Sequence, residues 1–498
     1  MVRTKHLAQN AMSSSSAELS GAGNATFARL MLLLAKLTDV TKIVETLGAD
    51  LEKISLLPQQ RDDLLEKLKV YGRDPTNSDP IFTKEGIQIL ARHAFNSPSK
   101  TTSRNALRCL ANALLLKPHT RQVFVDLGFE AKACNQLKDG NADDEFLISR
   151  IIFLTTYDTK IDIESLIVKH HLADIISKRI SSHAKQFSAK NKEMDPMEEM
   201  ALVESLKLLF NLTHFYPDGA KHFAQAVPHI LTILQKQVIL PSKALDPPIA
   251  QLVNSLINLP LEDPNNLSAL FPKPNSHSHV EQFIEILQHS IGVYKDDELE
   301  QLVSPLLTLI RKVYSMAPPE VCQFMQTRIL PSEKDREQPV GRGESLSARL
   351  LQLSTNPATP QLRESISAMF YELSGKDAAT FVQNVGYGFA SGFLFQHNLP
   401  IPQNAFEAWS TGDGQKEKGK STQENAKAVN PITGQLLENE AKVDMPEMTQ
   451  EEKEREAEKL FVLFERLKKN GIISAKNPME EALQQGRFEE LDDDEESD

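Results

Sequence analysis

"LRCLAN", Leu107 to Asn112, lies inside the longer run "SRNALRCLANALL" (Ser103 to Leu115). It has two counterparts further along the chain, "LKLLFN" (Leu206 to Asn211) and "VNSLIN" (Val253 to Asn258). Each reads apolar, polar, any, Leu, apolar, Asn. Apolar positions three apart fall on one face of a helix, and the closing Asn sits beside that face. Around these stretches, helix-period segments follow one another from about residue 26 to about 400, separated by short Pro, Gly or Asn breaks. No run sustains the alternation of a strand.

A helix with one apolar stripe needs neighbours to bury it, and a long series of such helices buries them by stacking. The pattern therefore predicts an all-α chain, an α-solenoid of the armadillo or HEAT type. Composition agrees: Gly is scarce at 21 in 498 residues, only 6% of residues are aromatic, and Leu, Ala, Glu and Lys dominate. The boundaries predicted are a disordered N-terminus over 1–25, the solenoid over 26–403, a disordered linker over 404–448, an amphipathic helix over 449–471 and an acidic tail over 472–498. Breaks near 183–199, 262–279 and 330–345 read as loops between repeats, since the same kind of helix resumes after each.

Charge limits the partners. Eight units of the net charge of −13 come from the last ten residues, "EELDDDEESD", which leaves −5 for everything before them. A chain without a basic surface is a poor candidate for nucleic acid. Cys109, Cys134 and Cys322 are far apart and lie in apolar helical contexts, so they read as buried thiols with neither disulfide nor zinc spacing. The apolar run "RLMLLLAKL" (Arg29 to Leu37) is too short to span a bilayer.

Motifs for covalent chemistry lack their context. "GQKEKGKS" (Gly414 to Ser421) matches the phosphate-loop pattern, but that loop needs a buried strand before it and a helix after it, and neither flank supplies one. "HSH" (His277 to His279) sits in a Pro, Asn and Ser stretch without carboxylates and reads as a solvated loop. The chain therefore reads as no enzyme, with no cofactor and no metal.

What remains is a binding surface. Arg104, Arg108 and Asn112 are spaced i, i+4, i+8 and form a polar stripe beside the apolar one of Leu107, Leu110 and Leu114. Lys207 with Asn211, and Asn254 with Asn258, repeat the last two places. If these helices line the inner wall of the solenoid, the amides and cations suit the backbone and carboxylates of a peptide or helix laid along it. The other reading is that they are satisfied polar residues between packed helices.

Several segments resemble the synembryn family, its fungal branch in particular. They are "YGRDPTNSDPIFTKEGIQILARHAFNSP" (Tyr71 to Pro98), "LKLLFNLTHFYP", "LVNSLINLPLE", "FVQNVGYGFASGFL" (Phe381 to Leu394), "NPITGQ" (Asn430 to Gln435) and "MTQEEKEREAEKLFVLFERL" (Met448 to Leu467). The resemblance implies a cytoplasmic armadillo/HEAT solenoid, recruited to the plasma membrane through its client. It implies a chaperone and non-receptor guanine nucleotide exchange factor for G-protein α subunits (Gα), monomeric outside that complex. It further implies that the solenoid grips the C-terminal helix of Gα while the segment after it contacts the Ras-like domain. The alternative is a generic armadillo-type adaptor for another protein. Animal members carry phosphorylated acidic sites after the solenoid; here that stretch is Lys-rich, and only Ser410 and Ser421 keep an acidic residue three places on. In the tail, Thr449 and Glu452 form a capping box, and Leu460, Phe461, Phe464 and Leu467 share one face before Gly471. That face is the expected contact with the Ras-like domain, the other reading being a cap on the end of the solenoid.

Overall fold

A computed structural model describes residues 35–189, 194–400 and 428–440, with single positions at 449, 455, 456, 458, 459 and 462. The chain divides into two compact units, Met1–Glu438 and Asn439–Asp498. The first unit is all helical apart from one isolated antiparallel bridge, Val429 to Leu436, among the described residues.

Its helices are α1 (35–53), α2 (Pro58–Tyr71), α3 (Lys84–Asn96), α4 (Lys100–Leu116), α5 (His119–Asp126), α6 (Glu130–Asp139) and α7 (Ala142–Thr155). There follow α8 (Leu172–Ala189), α9 (Pro196–Phe215), α10 (Val227–Gln235), α11 (Ile249–Asn258), α12 (Pro264–Leu270) and α13 (Ser278–Ser290). The last are α14 (Asp296–Met316), α15 (Pro319–Ile329), α16 (Leu346–Leu353), α17 (Pro360–Leu373), α18 (Ala378–Val385) and α19 (Tyr387–Gln396).

Two layers emerge from the packing. One is a continuous row in which α2, α4, α7, α9, α11, α14 and α17 each lie against the next. The other covers its back, with α3 on α4, α6 on α7, α8 on α9, α10 on α11, α13 on α14 and α16 on α17. The apolar stripes legible in the sequence meet between the layers: Leu107, Leu110 and Leu114 of α4, Leu206 and Leu209 of α9, and Val253 and Leu256 of α11 are all buried in one continuous core. Helix starts follow side-chain chemistry. Ser99 caps α4 by accepting the Thr102 N–H, and Asn141 and Asp144 form a reciprocal capping box on α7.

The structure corrects three local readings. Residues 262–279 hold a helix, α12, which Asp263 caps and Pro264 opens. His279 belongs to α13 and is buried, and burial lowers the pKa of its imidazole despite a hydrogen bond that the ring donates to the Ala269 backbone carbonyl; His277 stacks on Phe324 at 4.6 Å. Residues 428–438, assigned from composition to a disordered linker, form a strap over the end of the solenoid. The carbonyls of Pro431 and Ile432 accept the N–H groups of Tyr387 and Gly388 at 2.7 and 3.1 Å, and so cap α19. Arg336 donates to the carbonyls of Gly434, Gln383 and Asn384, which joins the strap to the C-terminal end of α18.

Candidate functional site

One side of each row helix faces the core and the back layer; the other forms a strip that solvent reaches. On α4 that strip carries Arg104, Arg108 and Asn112, on α9 it carries Lys207, Phe210 and His214, and on α11 Asn254 and Asn258. The stripe expected from spacing is therefore brought to one layer, but its members differ sharply in what they touch.

Arg104 is committed within the fold. Its Nε donates to Asp144 Oδ1 at 2.8 Å, and a terminal nitrogen reaches Asp144 Oδ2 at 3.1 Å and Asn141 Oδ1 at 2.8 Å. These bonds raise the guanidinium pKa, with burial working against them. For Asp144, burial alone would raise the carboxyl pKa, yet the bonds from Arg104 and the Asn141 N–H prevail and hold it below the usual range. Asn211 is committed too: it is buried, donates to Thr156 Oγ1 at 2.8 Å, and faces the Tyr157 hydroxyl at 3.5 Å. For these two residues the geometry is that of satisfied polar groups between helices.

The others stay available. Arg108 bonds Asn105 within its own helix at 3.0 Å and lies 3.6 Å from Asp143, with its side chain 36% exposed. Asn112 and Asn254 are half-buried and their amides take no partner among the described residues. Asn258 makes one long contact, 3.5 Å to the Phe210 carbonyl. Lys207 binds Glu204 at 2.8 Å and places its ammonium 4.8 Å from the centre of the Phe153 ring.

Sequence reasoning missed the middle of the strip. On α7, Phe146, Arg150 and Phe153, with Tyr157 just beyond, are spaced i, i+4, i+7, i+11 and share its open side. Tyr157 packs edge-on against Phe153 and against Phe215 of α9, while Phe210 stacks on His214 at 5.8 Å. The signal was present in "FLISRIIFLTTY", where aromatic residues recur on one face, but buried aromatics give the same pattern.

Ser410, Ser421, the phosphate-loop match over 414–421 and the tail positions Leu460, Phe461, Phe464 and Leu467 lie outside the described residues. No helix among the described residues is long and apolar enough to cross a membrane.

A stacked helical array of this kind, with amides, cations and aromatic rings along one row, has the architecture of a repeat solenoid. Comparison with known proteins makes this particular. The model of the family described as guanine nucleotide exchange factor synembryn matches residues 64–487, and the chain belongs to that family. A synembryn-like chaperone of Schizosaccharomyces pombe is 27% identical over 355 residues, covering 68% of this chain and 64% of that protein. Chaperone Ric-8A of Macaca fascicularis is 25% identical over 472 residues, 88% of this chain and 86% of that one. Ric-8A of Danio rerio is 24% identical over 458 residues, 82% and 81% respectively.

Proposed function

We propose that this protein is a chaperone and guanine nucleotide exchange factor for Gα, acting by binding alone. Family membership supports the activity, and one observation supports the place: half-buried amides of Asn112 and Asn254 without partners among the described residues, on the same row as Arg108, Lys207 and the rings of Phe153 and Tyr157. An amphipathic helix lays an apolar face on the rings and offers backbone and carboxylate groups to the amides and cations. The C-terminal helix of Gα is such a segment, and Arg108, Asn112, Lys207, Asn254 and Asn258 are its proposed contacts.

Exchange then follows from linkage. A protein that holds the C-terminal helix of Gα away from its seat binds the nucleotide-free form better than either nucleotide-bound form. It shifts a population towards GDP release, and GTP dissolves the complex by favouring the competing conformation. The test is release of labelled GDP from purified Gα together with co-elution on gel filtration. Faster release and a complex that GTP dissociates support the proposal. A chain that neither alters release nor co-elutes overturns it.

A further inference from the structure

Charge is balanced at one end of the strip and unbalanced in its middle. On α4 and α7, the two cations Arg104 and Arg108 face the two carboxylates of Asp143 and Asp144. One turn into the next pair of helices the count differs. Glu204 of α9 is buried, its side chain only 4% exposed, and its Oε1 alone receives both Arg150 at 3.2 Å and Lys207 at 2.8 Å. Neither cation has a second carboxylate partner among the described residues. The nearby Glu145 is turned the other way, bound to Ser205 at 2.7 Å and His183 at 3.0 Å.

Both cations are also held in place from outside. The Arg150 guanidinium lies 5.8 Å from the Phe146 ring, and Lys207 lies over Phe153. Each keeps 31% of its side chain open to solvent. Two oriented cations, half out of water beside aromatic faces and neutralised by only one buried carboxylate, make a site of net charge +1 at a fixed place.

From this we infer that Arg150 and Lys207 form the anion-binding pair of the strip, that their ligand is a carboxylate at the C-terminal end of the partner helix, and that Glu204 is the positioning residue that aims them. The inference rests on the Gα-binding reading and adds the position and polarity of the bound segment. A helix places its negative dipole end and its terminal carboxylate together, so the two attractions coincide at this pair. Arg104 is excluded from the role because its Nε and one terminal nitrogen are bound to Asp144 and Asn141, and its other terminal nitrogen lies 3.7 Å from a second carboxylate, Asp143.

The experiment measures binding of a synthetic peptide copying the C-terminal helix of the Gα used for exchange. It is made as the free acid, as the C-terminal amide, and with its acidic side chains replaced by their amides. The full chain should prefer the free acid over one of the neutralised peptides by about tenfold, the arm that loses affinity identifying the carboxylate. Arg150→Gln with Lys207→Gln should bring that ratio close to one. Glu204→Gln keeps an acceptor for both cations but removes the neutralising charge, and should raise the ratio about threefold or more at low salt. Because the ratio is taken within each variant, partial unfolding does not move it. Equal binding of all three peptides, or a Glu204→Gln ratio that stays the same or falls, overturns the inference while leaving the Gα-binding reading intact. Failure of the unaltered chain to bind any peptide or release GDP overturns both.

Discussion

The guanidinium of Arg104 on α4 grips the Asp144 carboxylate on α7 through two nitrogens, 40 residues apart in sequence, at 2.8 and 3.1 Å. Asp144 is itself part of the box that starts α7, so this one pair fixes where α7 begins relative to α4, its neighbour in the row. Removing Arg104 would leave a carboxylate that is almost fully buried without its cation. Arg104→Ala should therefore lower stability by about 3 kcal/mol, measured by urea unfolding at pH 7.

The same pair sets an acid dependence. The pKa of Asp144 is depressed in the folded chain, so its contribution is present above the unfolded carboxylate value of about 4 and is lost as pH falls through the folded value. The stability gap between the unaltered chain and Arg104→Ala should narrow below about pH 4. A gap that is constant with pH would mean that Arg104 acts through packing alone.

Asn112 and Asn254 behave oppositely. Neither amide bonds to the protein among the described residues, and alanine is the better helix former, so Asn112→Ala and Asn254→Ala should leave stability within about 0.5 kcal/mol. If each amide bonds the partner, each change should weaken binding of the Gα C-terminal peptide by roughly 0.5 to 1.5 kcal/mol, about two- to twelvefold. Isothermal titration of both variants decides it; unchanged affinity removes these amides from the site.

These contrasts show what was legible in the sequence. The row helices were, because burial of one face repeats with the helix period whatever the partner is, and Leu107, Leu110 and Leu114 could be placed inward from spacing alone. Arg104 and Arg108 could not be told apart. Their spacing is equivalent, and what separates them is Asp144 on another helix, a tertiary fact. Helix α12 escaped notice because seven residues opening "PNN" look like a turn. The strap escaped because it is held largely through its backbone carbonyls and N–H groups, which every sequence possesses, with Arg336 reaching it from 98 residues away in sequence.

Gly386 is where the strap can be tested. Its φ is +79°, and a Cβ there would stand 2.8 Å from the Ile432 carbonyl oxygen and 2.9 Å from the Gly434 nitrogen. Gly386→Ala should cost about 1 to 3 kcal/mol through backbone strain and displace the strap. Hydrogen exchange at Tyr387 and Gly388, whose N–H groups the strap accepts, should then speed up while α4 and α9 keep their protection. Unchanged exchange at those two amides would show that the strap does not cap α19.

The tail poses the last question. The sequence predicts a helix over 449–471, with a capping box at Thr449 and Glu452 and one apolar face of Leu460, Phe461, Phe464 and Leu467. A lone helix of that length is marginal in water and needs a surface to lie on. We assign that surface to the Ras-like domain of Gα, because a second contact joined by a tether acts at high effective concentration and strengthens the first without altering it. Deleting residues 449–498 should leave the solenoid folded and its affinity for the Gα C-terminal peptide unchanged, while affinity for whole Gα and the rate of GDP release fall together. Full-rate exchange by the shortened chain would remove the helix as a Gα contact. A loss of several degrees of thermal stability without Gα present would make it a cap of the solenoid instead.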